Sequence, residues 1–126
     1  MPTTETPTSA GLQGSKTARI AAWGLAAGIA VLSLVPPTMR PQTGASNSLE
    51  HFTIYVASGF AFGLGYKRRH HLLAIFLVIF SGLIEVAQLL VPGRHARLSD
   101  FITDAIAACV GLVTPSLLSL ARGRTR

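Results

Sequence analysis

The chain has 126 residues, enough for one domain, and 49% of them are apolar while only 13% are charged. Its charges are bunched between long apolar segments and its mean hydropathy is +0.48, more apolar sequence than a water-soluble core of this size uses, so a bilayer must solvate the remainder. The net charge of +6 does not point to nucleic acid, because the basic residues flank apolar segments, lack interleaved aromatics and match no nucleic-acid motif.

Met1 to Ser15 is rich in Thr, Ser, Pro and Gly, with Glu5 as its only charge. Such a segment buries too little apolar surface to order itself and is expected to be a flexible polar tail. Four apolar segments follow, at about Ala18 to Val35, Phe52 to Tyr66, Leu72 to Val91 and Phe101 to Ala121. A helix needs about 20 residues to cross the hydrocarbon core. The second segment is short of that unless Leu49, Glu50 and His51 extend it, which would draw Glu50 and His51 to the membrane edge.

The breaks between segments are Pro36-Pro37, the run Lys67-Arg68-Arg69-His70-His71, and Pro92-Gly93. Ser99 or Asp100 is placed to cap the fourth helix. No small-x-small cleavage site ends the first apolar run, which therefore reads as an uncleaved helix rather than a signal peptide. The expected fold class is an all-α membrane protein. It comprises four transmembrane helices in a compact bundle over residues 16–121, a short disordered N-terminal tail over 1–15 and a basic cytoplasmic tail over 122–126.

Orientation follows from Lys and Arg. With both termini inside, Lys16, Arg19, Lys67, Arg68, Arg69, Arg122, Arg124 and Arg126 lie on the cytoplasmic face, and Arg40, Arg94 and Arg97 lie outside, eight against three. The polar residues of the apolar segments then gather at the outer level. His51 and Tyr55 share a face of the second helix, and Glu85 and Gln88 share a face of the third. Asp100 and Asp104 are one turn apart at the start of the fourth. Arg94, His95 and Arg97 occupy the loop before it.

Glu85 is the most diagnostic of these. If the third helix runs to Val91, Glu85 lies about 9 Å below its end, from six residues at about 1.5 Å each. A carboxylate exposed to lipid costs at least about 2.5 kcal/mol, so it must be protonated, paired or facing a wet cavity. Arg94, Arg97 and His51 are the expected partners. One alternative is that the whole network merely locks the helices together. Asp100 alone could be an N-cap and Tyr55 alone an interfacial anchor.

Other features have plainer explanations. Gly24 and Gly28, Gly59 and Gly63, and the small residues Ala107, Ala108 and Gly111 are expected at close helix contacts. Cys109, the single cysteine, reads as a small packing residue. His70 and His71 adjoin basic residues and are expected near anionic headgroups rather than a metal.

The order His51-x3-Tyr55, Glu85-x2-Gln88, Pro92-Gly93-Arg94 and Asp100-x3-Asp104 resembles the VanZ-like membrane protein family. The stretch from Glu85 to Arg94 is its most specific part, and the resemblance runs from about Leu49 to Gly111. The chain departs from many relatives in having Asn47-Ser48 where they carry an Asp-Lys pair, Asp104 in place of Asn and Ala107 in place of Gly. The resemblance implies an accessory protein of the bacterial cell envelope in the inner membrane, in a family whose namesake is associated with low-level teicoplanin resistance.

Three functions compete. In the first, a non-enzymatic protein engages a membrane lipid, a lipid-linked cell-wall precursor or a glycopeptide through His51, Tyr55, Glu85, Gln88, Arg94, Arg97, Asp100 and Asp104. The second is an intramembrane enzyme using the same acids and bases. The third is a lipid or small-molecule transporter, for which a homo-oligomer permitted by the glycine spacings would have to complete the path. The sequence contains no HExxH, no serine elbow and no reactive cysteine, so no catalytic residue, metal site or cofactor is assigned.

Overall fold

The computed structural model describes residues 9–123, with side chains from residue 16 onward. Four α-helices follow one another: α1 (Ser9–Leu34), α2 (Asn47–Gly65), α3 (His70–Gln88) and α4 (Leu98–Gly123), with a 3-10 turn at Pro37–Met39. Among the described residues, three stretches are long and apolar enough to cross a membrane: Lys16–Leu34, His70–Gln88 and Leu98–Gly123.

α1 begins inside the segment expected to be a tail. Pro7 is the last proline before Val35, so nothing stops the helix from extending back from the apolar run to Ser9. Residues 1–8 and 124–126 lie outside the described residues. α2 includes Leu49, Glu50 and His51, and its start is held by Ser46, whose Oγ accepts from the Leu49 amide at 3.3 Å.

α3 ends earlier than its apolar run. Leu89, Leu90 and Val91 leave the helix in turn geometry ahead of Pro92 and Gly93, and Gly93 has φ +80°. Glu85 therefore lies about 4.5 Å from the end of α3, three residues at about 1.5 Å each, half the expected depth. α4 starts at Leu98, so Ser99 and Asp100 sit in its first turn instead of capping it. The Arg97 carbonyl accepts the first amides, from Asp100 at 3.0 Å and Phe101 at 3.2 Å. Pro115 lies within α4 and forgoes one helical hydrogen bond.

Consecutive helices alternate in direction, so α2 and α4 run parallel, and this pair packs most closely. Small residues allow it. A Cβ on Gly59 would strike the Ala108 carbonyl, one on Gly63 the Leu112 carbonyl, and one on Gly111 the Val56 carbonyl. α1 lies against α2, and α3 against α4. The expected contact at Gly24 and Gly28 is not made, since a Cβ on either would meet nothing within 4 Å. Those two glycines face away from the neighbours that α1 has within this chain.

Apolar side chains face outward as well as inward. Ile75, Ile79, Leu83 and Val86 form one exposed stripe on α3, and Ile102, Ile106, Val110, Val113 and Leu117 form another on α4. The two ends of the bundle differ. One holds the start of α1, the α2–α3 link and the end of α4. There Arg19 donates to the Gly65 carbonyl at 2.8 Å and lies over the Tyr66 ring, and Trp23 packs edge-on to Phe62 at 5.3 Å. The opposite, polar end gathers the end of α1, the start of α2, the end of α3 and the start of α4.

Candidate functional site

The parallel pair α2 and α4 sets the first layer of the polar end. His51 Nδ1 and Asp104 Oδ2 are 3.1 Å apart, and both side chains are buried. Tyr55, one turn below His51, stacks on it with ring centroids 6.4 Å apart. The antiparallel α3 adds Glu85, which is 6% exposed and within electrostatic reach of His51, Asp100 and Asp104. Five expected residues, His51, Tyr55, Glu85, Gln88 and Asp104, are thus buried together near one end of the bundle.

The expected partners of Glu85 are rearranged. Its Oε1 accepts from the Arg97 backbone amide at 2.5 Å, not from a guanidinium. A main-chain donor just ahead of α4 ties the end of α3 to the start of α4. Arg94 turns the other way and donates through one Nη to the carbonyls of Leu32 at 3.1 Å and Val35 at 3.2 Å. Leu32 lies in the last turn of α1 and Val35 just after it, where helix-end carbonyls lack amide partners. Burial, followed by the positive charge of Arg40, holds the Arg94 guanidinium below its ordinary range, with Glu85 acting in the opposite sense.

Above this layer opens a cavity of about 300 Å³. Gln88, Arg94, Arg97 and Asp100 line it, joined by His95, whereas His51, Tyr55, Glu85 and Asp104 lie outside its lining. Arg40, Asn47 and Ser48, with Pro37 and Gly93, complete the wall. The lining carries three arginines against one carboxylate, Asp100. Four buried polar atoms of the polar end have no hydrogen-bond partner: Tyr55 Oη, Gln88 Nε2, Arg94 Nε and Asp104 Oδ1. Buried polar atoms are usually satisfied, and the other two such atoms among the described residues, Ser58 Oγ and His70 Nε2, lie outside this cluster.

Arg40 is the residue that sequence reasoning used only to fix orientation. It donates to Asn47 Oδ1 at 3.0 Å and to Glu50 Oε2 at 2.9 Å, while the Thr43 hydroxyl donates to the other Glu50 oxygen. A lone basic residue in a short link between apolar segments, followed ten positions later by a carboxylate, was the available signal. Among the described residues no three His, Cys, Asp or Glu side chains group as metal ligands.

No curated protein and no solved structure matches the chain. The family model described as VanZ/LLP1 matches residues 14–119, which take in all eight expected site residues, and the chain belongs to the VanZ/LLP1 family.

Proposed function

We propose that the chain crosses the bacterial inner membrane four times, with both termini cytoplasmic, and acts without catalysis by binding an anionic headgroup at its outer polar end. The outward apolar stripes of α3 and α4 support the membrane setting, since lipid solvates them and water does not. The Lys and Arg distribution supports the orientation. α2 crosses with the rest because it is packed between α1 and α4, its polar start lying at the outer surface.

The observation that carries the binding reading is the lining of the 300 Å³ cavity. Three arginines line a space large enough for a phosphate-bearing headgroup, and guanidinium forks match phosphate geometry. Gln88 Nε2 and Arg94 Nε, on two lining residues, are donors without partners. The volume is at the low end of ligand cavities, roughly 300–1,000 Å³, and a glycopeptide does not fit in it whole. The ligand is therefore a membrane lipid or a lipid-linked cell-wall precursor, and any lowering of teicoplanin susceptibility follows from holding that lipid.

Expression of wild type, Glu85→Gln and Asp100→Asn in a glycopeptide-sensitive host tests this. Teicoplanin susceptibility and the pool of lipid-linked precursors are measured together. Wild type lowers susceptibility and shifts the pool, and both variants do so at least as strongly, since each removes a negative charge from in or beside the cavity proposed to hold an anion. If all three strains behave like the empty vector, the resistance role is wrong.

One observation favours a second reading. The buried His51–Asp104 pair beside Tyr55 is an arrangement that general acid–base chemistry uses. Turnover of a lipid-linked precursor by purified protein, lost in His51→Gln, would establish an enzyme in place of a binding protein.

A further inference from the structure

A second cavity, about 550 Å³, lies between the end of α1 and the start of α2. Its floor is a single stripe of α2, Leu49, Thr53, Ile54 and Ala57, and Leu32 of α1 forms a wall. The stripe starts at Leu49, beside Glu50, and runs inward for about 12 Å, eight residues at about 1.5 Å each. Charged groups lie only near its outer end, where Arg40 and Glu50 pair under the α1–α2 link, and the Thr53 hydroxyl farther in donates to the Leu49 carbonyl.

Arg40 also lines the polar cavity, and a smaller space bounded by Arg40, Asn47 and Glu50 lies alongside both. One arginine thus forms a common wall to an apolar groove and a cationic chamber. The groove runs from this boundary toward the middle of the bundle, the direction in which a lipid chain leaves its headgroup. No soluble anion would use such a groove, and no chain without an anionic head would use the arginines.

We infer that the site takes one whole phosphate-bearing membrane lipid, its phosphate in the cavity lined by Arg40, Arg94 and Arg97 and one hydrocarbon chain in the groove between α1 and α2. The Arg40–Glu50 pair lies at the junction, and the occupant is selected by head and chain together. This rests on the headgroup reading of the polar cavity and adds the chain site to it.

The test separates the two. Purified protein in neutral detergent micelles is titrated with dioleoyl phosphatidate and, separately, with glycerol 3-phosphate. Wild type and two groove-filling variants, Ala57→Phe and Thr53→Phe, are compared. Both positions are exposed, away from the polar cavity, and either variant alone suffices if the other does not fold. Wild type is expected to bind phosphatidate at least about tenfold more tightly than glycerol 3-phosphate, because chain methylenes add to the binding. Each Phe variant loses that excess and keeps its affinity for glycerol 3-phosphate. Equal wild-type affinity for both probes, or undiminished phosphatidate binding in the Phe variants, overturns the chain site and leaves the headgroup site standing. Failure of wild type to bind either probe overturns both.

Discussion

His51 and Asp104, 53 residues apart in sequence, meet at 3.1 Å inside the bundle and fix the register of the parallel pair α2 and α4. The contact lies about two turns above the glycine crossing at Gly59 and Gly111, so a polar clamp and a small-residue crossing hold the same two helices. The pair also shapes the floor of the polar end, because Tyr55 stacks on His51 and Glu85 senses both partners.

Breaking the clamp should therefore be non-additive. His51→Ala and Asp104→Ala each destabilise the bundle, and the double variant loses less than the sum. A coupling energy of about 1–3 kcal/mol is expected for residues in direct contact. Reversible unfolding in mixed micelles measures it, and strictly additive losses would show that the pair does not hold α2 to α4.

The glycines divide into two classes. Gly111→Val places branched carbons against the Val56 carbonyl and the Phe60 amide, and Gly59→Val meets the Ala108 carbonyl. Each should cost at least about 1–3 kcal/mol by overpacking. Gly24→Ala meets nothing within the chain and should be neutral or stabilising by up to about 1 kcal/mol through helix propensity. The same unfolding assay ranks them, and a destabilising Gly24→Ala would instead reveal a contact beyond this chain.

Arg94 and Arg97 should separate in their effects. Arg94→Ala removes the donor that closes the end of α1, with an expected loss of about 1.5–3 kcal/mol for hydrogen bonds from a charged group. Arg97→Gln leaves its backbone amide in place on Glu85, so its stability should stay within about 0.5 kcal/mol of wild type. Equal losses in unfolding free energy would contradict this division.

Much of the polar end was legible because charge inside an apolar segment is costly. His51, Tyr55, Glu85, Gln88 and Asp104 stood out on that ground, and helical spacing put them on shared faces. What was hidden depends on main-chain geometry. Glu85 is held by an amide and Arg94 holds two carbonyls, and main-chain partners leave no side-chain signature. The depth of Glu85 was overestimated because Leu89, Leu90 and Val91 are apolar enough to continue a helix yet lie just before Pro92-Gly93. Arg40 was missed as part of the site because only the fold of the α1–α2 link brings it over Asn47 and Glu50.

The four crossings proposed above can be read by labelling. In a Cys109→Ala background, single cysteines placed at Gln42 and His95 should react with an impermeant maleimide added to intact spheroplasts. A cysteine at Arg68 should react only after lysis. Like labelling of Gln42 and Arg68 would mean that α2 does not cross, and labelling of Arg68 from outside with Gln42 and His95 protected would mean that the orientation is reversed.

If the polar end recognises an anionic headgroup, as proposed, charge is what must be varied. Purified protein in neutral micelles is titrated with dioleoyl phosphatidate and with dioleoylglycerol, which shares its chains and lacks the phosphate. Wild type is predicted to prefer phosphatidate by at least about tenfold, with Arg97→Gln losing most of that preference while remaining folded. Equal affinity of wild type for the two lipids, or a preference untouched by Arg97→Gln, would contradict the account.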